Sequence, residues 1–111
     1  MNKEIYNLLP QEIKNILFIS NGWVVGSSIE KLKNKEEVRD YDILITDNEL
    51  FAKSISSLKS CFDKFTTFGG IKLKINNLSI DIWCQSLEDF IFKSSKRGIM
   101  FNMRKNIILN E

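Results

Sequence analysis

At 111 residues the chain has room for one core, and 43% hydrophobic residues against 27% charged is the balance of an ordinary globular domain. Sixteen basic and 14 acidic residues leave a net charge of +2, too even to announce nucleic acid or an anionic membrane, so any binding patch must be local. The absence of histidine excludes Ser-His-Asp and Cys-His triads, HExxH zinc sites and imidazole acid-base catalysis, leaving carboxylate, lysine, arginine, backbone and bound metal to carry chemistry.

The first residues, Met1 to Ile5, carry charge but no apolar h-region, and no later run approaches the roughly 18 apolar residues of a membrane span, which predicts a cytoplasmic protein. No repeat, low-complexity tract or linker interrupts the sequence, so residues 1–111 are read as a single domain. Ile5, Leu8 and Leu9, then Ile13, Ile16 and Leu17, follow helical spacing on either side of the only proline, Pro10. They predict two short helices or one broken one. Residues 22–26 form a short apolar run closed by Gly26-Ser27-Ser28, after which Ile29 and Leu32 suggest a brief helix.

Residues 41–46 read as a mostly buried strand, and Thr46-Asp47-Asn48-Glu49 fits a capping box for a helix whose buried stripe is Phe51, Ile55, Leu58 and Phe62. Beyond Gly69-Gly70, Ile71, Leu73 and Ile75 alternate with Lys72 and Lys74, the period of a half-solvated strand. Asn76-Asn77 tolerates the backbone of a tight hairpin, which predicts an antiparallel return through residues 78–83. Ser86 to Asp89 opens a short helix, and the tail from Ile99 to Leu109 is left between helix and strand. Cys61 and Cys84 lie far apart and read as reduced core fillers.

Three features carry candidate chemistry. Asp40 and Asp42 stand two apart at the start of a strand, so both side chains leave on one face while Tyr41, Ile43 and Ile45 leave on the other. They are either solvated residues at a strand edge or a pair neutralised by a hard divalent cation such as Mg²⁺. Asp81 lies mid-strand between Ile80 and Ile82, where it is either outward-facing beside Ser79 and Trp83 or a third carboxylate of the same site. Two ions ~4 Å apart on such a set can activate an attacking oxygen and stabilise a leaving phosphate without histidine. The turn at Gly26-Ser27-Ser28 is either a simple helix cap or a phosphate-binding loop, in which glycine admits close backbone approach and the amides and hydroxyls favour an anion.

Taken together, the Gly-Ser turn, Arg39-Asp40-Tyr41-Asp42-Ile43 and the later Ile80-Asp81-Ile82 resemble the nucleotidyltransferase superfamily related to DNA polymerase beta. Within it the chain is most similar to the catalytic head of CCA-adding enzymes and bacterial poly(A) polymerases, from Val24-Val25-Gly26-Ser27 through Thr66-Thr67-Phe68-Gly69-Gly70-Ile71-Lys72. Lys96-Arg97-Gly98-Ile99-Met100-Phe101-Asn102 resembles the Arg-Arg-Asp-Phe-Thr-Ile-Asn segment of that family, which contributes to nucleotide binding.

The resemblance implies an α+β fold, a small mixed β-sheet flanked by helices like the palm of polymerase beta. It implies Asp40, Asp42 and Asp81 as catalytic metal ligands, Gly26 and Ser27 as triphosphate contacts, and Arg97 and Asn102 as further nucleotide contacts. The cofactor would be Mg²⁺ or Mn²⁺, and the substrate a nucleoside triphosphate whose monophosphate passes to a small-molecule, protein or RNA hydroxyl. Three departures stand out: Ser27 replaces the second glycine of the CCA-type turn, Glu30-Lys31 stand where Arg-Asp is usual, and Gly98 replaces the tail aspartate. The chain stops where family enzymes continue into helical domains that select the base and hold RNA, so tRNA tailing by this chain alone is not expected. The alternatives are a catalytically reduced binding module acting through a protein partner, and a small α+β domain with no ligand; on any reading so small a domain is expected to meet a protein partner or form a homo-oligomer.

Overall fold

The computed structural model describes residues 3–67, 69–93, 98–105 and 107–109, the last three by backbone alone. Pro10 has no amide hydrogen to give a helix interior, and it divides the first apolar stripe into α1 (Lys3–Leu8) and α2 (Gln11–Ser20). It occupies the N-cap of α2 in extended backbone, one step ahead of the first turn where the sequence placed it. The chain then runs through β1 (Trp23–Val25), α3 (Ser28–Lys33), β2 (Asp40–Ile45), α4 (Asn48–Ser57) and β3 (Phe62–Phe65). It continues through β4 (Ile71–Ile75), β5 (Leu78–Cys84), α5 (Leu87–Lys93), β6 (Met100–Asn102) and β7 (Ile107–Leu109).

Among the described residues, seven strands join one sheet in the order β3-β4-β5-β2-β1-β6-β7. β2 and β5 run parallel, and every other neighbouring pair is antiparallel. The hairpin expected at Asn76-Asn77 is present, with Asn76 in left-handed backbone (φ 54°) and Ile75 paired to Leu78. The tail between helix and strand is resolved as strand, because β6 and β7 extend the sheet beside β1.

Two local expectations are corrected. Asp47, not Thr46, caps α4, its carboxylate accepting from Leu50 N–H at 2.9 Å. Phe62 does not continue the α4 stripe: the helix ends at Ser57, a turn at Lys59–Cys61 redirects the chain, and Phe62 opens β3 opposite Leu73. Helical spacing in sequence carried the stripe one turn too far, since the pairing of β3 with β4 competes for the same residues. Cys61 and Cys84 are both free thiols. Burial first, then the nearby Asp47 charge, pushes the Cys84 thiol up, and its Sγ donates to Asn48 Oδ1 at 3.1 Å, which suits a protonated packing residue.

Alternation along the central strands sorts side chains onto two faces. Val24, Tyr41, Ile43, Ile45, Leu73, Ile80 and Ile82 enter the main core, where they meet Ile5, Ile13, Ile16, Leu17 and Ile29 from α1, α2 and α3, and Leu9 from the link between the first two. The opposite face carries a smaller apolar cluster of Trp23, Val25, Leu44, Met100 and Phe90, with Trp83 and Leu87 packed against it. α5 thus contributes Phe90 and Leu87 to one end of that face, and the strand starts with Asp40, Asp42 and Asp81 lie at the other end.

Tyr41 is the odd member of the core. It is 2% exposed, and among the described residues its hydroxyl has no hydrogen-bond partner. Burial, with a smaller contribution from Glu12, raises its pKa to about 12. Because the folded value lies above the ordinary value of 10, the neutral form is favoured in the fold. The associated stability is complete below pH 10 and is lost as pH rises toward 12. Tyr41→Phe removes an unsatisfied buried hydroxyl and is expected to stabilise the protein by about 1 kcal/mol. Thermal melts at neutral pH and at high pH check both points: the variant should melt higher and lose less stability above pH 10.

Candidate active site

β2 and β5 lie side by side, in parallel, with Asp42 opposite Asp81 and Asp40 opposite Ser79. Residues in register on neighbouring strands share a face and sit about 5 Å apart at the backbone, so Asp42 and Asp81 are adjacent carboxylates. Asp40, two residues before Asp42, leaves on that face too and is exposed where the strand begins. Asp81 thus lies on the face of Asp40 and Asp42, a face it also shares with Ser79 and Trp83. The sheet supplies the reason: Ile80 and Ile82 are claimed by the helix-covered core, which forces Asp81 to the opposite side.

The glycine turn closes on the same place. Val25 pairs with Asp42, so Gly26 follows directly beside it, in left-handed backbone (φ 79°). A Cβ at position 26 would stand 3.0 Å from Asp42 Oδ2, filling space that glycine leaves beside the carboxylate. Ser27 holds the N-cap position of α3, yet its side chain makes no capping bond and is exposed. The hydroxyl is therefore not consumed by the helix, contrary to the simple cap reading. Ser28 is buried, and its Oγ makes no hydrogen bond among the described residues.

A cation missed by sequence reading sits in the site. Lys72 on β4 is opposite Asp81 on β5, and its Nζ lies 3.4 Å from Asp81 Oδ1, with the two side chains 27% and 35% exposed. The contact is an ion pair rather than a hydrogen bond: Asp81 Oδ1 is shielded from solvent and accepts no hydrogen bond from the described residues. The signal was present in the hairpin: a two-residue turn at Asn76-Asn77 that pairs Ile75 with Leu78 forces Lys72 opposite Asp81.

The oxygen donors suit a hard divalent cation, and two observations support that fit: Asp81 Oδ1, which is ion-paired but accepts no hydrogen bond from the described residues, and the space that Gly26 leaves at Asp42. As the side chains stand, no three carboxylate or thiol groups among the described residues converge on one point able to hold a metal. Asp81 stands on the right face, in register with Asp42, while its carboxylate meets Lys72.

The remaining candidates are placed as follows. Arg97 lies outside the described residues. Asn102 is 1% exposed, and its amide is committed to structure: Nδ2 donates to Asn21 O (2.9 Å), Asn21 Oδ1 (3.2 Å) and Gly22 O (3.2 Å), and Oδ1 accepts from Lys105 N–H at 2.8 Å. It clasps the turn between α2 and β1 to the tail. Gly98, in left-handed backbone (φ 57°), forms a parallel bridge with Gly26, so close that a Cβ at 98 would fall on the Gly26 carbonyl oxygen. No feature of the sequence signals this contact between segments 72 residues apart.

A mixed sheet with helices packed on it, and the two carboxylate strands parallel at its centre, is an α+β nucleotidyltransferase fold. Solved structures share it. A CCA-adding enzyme in complex with ATP matches 97% of this chain with 32% of its own, at a TM-score of 0.71 and 18% identity. A CCA-adding enzyme in complex with CTP matches 98% of this chain with 31% of its own, at 0.72 and 16%. A Thermotoga maritima CCA-adding enzyme complexed with tRNA matches 75% with 23% of its own, at 0.55 and 21%. The chain thus spans about a third or less of the length of these structures. No protein-family model matches the sequence, and no curated protein matches it.

Proposed function

We propose that the chain is a minimal nucleotidyltransferase domain, which moves a nucleoside monophosphate from a nucleoside triphosphate to a hydroxyl acceptor. The observation that carries this reading is the registration of Asp42 with Asp81 on one sheet face, beside the Gly26 turn. Asp40, Asp42 and Asp81 would hold Mg²⁺ or Mn²⁺, which supplies Lewis-acid stabilisation of charge on the transferring phosphate. The backbone at Gly26 and the uncommitted Ser27 hydroxyl receive the triphosphate, and Arg97 adds a nucleotide contact. Held in line, the acceptor hydroxyl attacks the α-phosphate and gives its proton to solvent, while the bond from the α-phosphorus to the bridging oxygen breaks and pyrophosphate leaves. Asn102 serves the same site from a distance, by fixing the turn that leads into β1. The acceptor is a small molecule, a protein hydroxyl or an RNA end.

A second reading is favoured by one observation: Lys72, rather than a ring of three carboxylates, meets Asp81. On that reading the chain keeps nucleotide affinity and acts through a protein partner, or a second copy of itself, without transferring the nucleotide. Among the described residues no helix is long and apolar enough to cross a membrane, and neither reading requires one.

One experiment separates the two. The protein is incubated with Mg²⁺, labelled nucleoside triphosphates and an acceptor panel, alongside an Asp40→Ala/Asp42→Ala control. Label transfer by the wild type that is lost in the control supports the enzyme. Transfer that survives the double substitution rejects the mechanism, and saturable nucleotide binding with no transfer to any acceptor selects the binding module.

A further inference from the structure

The ion pair between Lys72 and Asp81 is neither a solvated surface pair nor a completed buried one. Both side chains are about two-thirds or more covered, and the contact at 3.4 Å leaves Asp81 Oδ1 without a hydrogen bond. On its other side Lys72 stands opposite Lys64 of β3, and like charges in register repel, which biases the ammonium away from β3 and toward Asp81. Asp81 in turn faces a second carboxylate in register, Asp42. The row across the sheet therefore reads Lys64, Lys72, Asp81, Asp42, with the sign changing between β4 and β5. An ammonium on a flexible four-carbon stem can leave such a contact by rotating its own bonds, with no backbone movement.

We propose that Lys72 is a displaceable resident counter-cation of the carboxylate face. It neutralises Asp81 in the metal-free protein and is driven off when a divalent cation takes Asp81 together with Asp42. This rests on the metal-binding reading given above and adds to it a competitor built into the chain. Lys72 is a positioning residue: it holds the Asp81 carboxylate back until metal arrives, and so raises the metal concentration needed to assemble the site. Because the exchanged oxygen accepts no hydrogen bond from the described residues, displacing Lys72 breaks a Coulombic contact with it.

The test is Mn²⁺ binding to the full chain, without nucleotide, followed by the loss of the free-Mn²⁺ electron paramagnetic resonance signal. Wild type, Lys72→Met, Lys72→Arg, Asp42→Asn, Asp81→Asn and Lys72→Met/Asp81→Asn are compared, with circular dichroism melts establishing that each is folded. Lys72→Met is expected to bind Mn²⁺ about two- to fivefold more tightly, the scale of a partly exposed ion pair. Lys72→Arg should stay near wild type, and the gain should vanish in the double variant, whose affinity matches Asp81→Asn. Lys72→Gln replaces Lys72→Met if the latter does not fold. Unchanged or weaker binding in Lys72→Met, or equal tightening in Lys72→Arg, overturns the lysine's role while leaving the metal site standing. Wild-type protein without saturable Mn²⁺ binding, or with binding indifferent to Asp42→Asn, overturns the metal reading and this inference with it.

Discussion

Gly98→Asp, which restores the residue usual at that place in the tail motif of CCA-adding enzymes, is expected to damage the protein rather than improve it. The backbone at 98 has φ 57°, a conformation unfavourable for a side-chain-bearing residue, and the added Cβ would fall on the carbonyl oxygen of Gly26. The neighbour is backbone, not the movable end of a side chain, so relief requires the Gly26 turn or the approach to β6 to shift. Strained backbone and steric overlap together are expected to cost about 2–4 kcal/mol. Gly98→Ala should cost nearly as much, because the collision begins at Cβ and not at the carboxylate. Denaturant titration of wild type and both variants checks this. A loss below roughly 1 kcal/mol in both would mean that the Gly26–Gly98 bridge is not a tight junction. On the proposed function, nucleotide affinity should fall with stability, since the displaced element carries the turn next to Asp42.

The contrast between Gly98 and Asp81 explains what the sequence could and could not disclose. Asp81 interrupts a run of apolar residues, and period-2 alternation with Ile80 and Ile82 restricts it to one of two faces. Adding the carboxylate pair at Asp40 and Asp42 was enough to suggest the face, and parallel pairing of β2 with β5 makes that face common. Lys72 was readable in principle, because the short hairpin turn fixes its register, yet alternating lysines resemble any solvated strand until their neighbours are named. β3 was not readable: Phe62 obeys the spacing of the preceding helix, and only its pairing with β4 decides otherwise. Gly98 and Asn102 act through contacts with segments more than 70 residues away, at Gly26 and at Asn21 and Gly22. A motif comparison treats both as more or less matched letters. Packing gives them different tasks, a close backbone approach in one case and a buried amide clasp in the other.

The second large effect is expected at Asp42. It has Asp81 opposite on β5 and Val25 opposite on β1, with Asp40 two residues before it and the Gly26 turn alongside. Of the three aspartates it therefore borders the largest number of groups assigned to the site. Asp42→Asn keeps the shape and removes the charge, and it is expected to lower nucleotidyl transfer by about 10³-fold or more, equivalent to roughly 4 kcal/mol of transition-state stabilisation. The fold should survive, because Asp42 is half-buried on the face opposite the main core. Single-turnover label transfer and thermal melts, run on the same preparation, separate the two quantities. Activity within tenfold of wild type would remove Asp42 from the mechanism. Loss of activity with loss of folding would instead make it structural. On the proposed metal site, Lys72→Met should tighten Mn²⁺ binding and Asp42→Asn should weaken it. A carboxylate that recruits the cation and a lysine that competes with it are then distinguishable by sign as well as size.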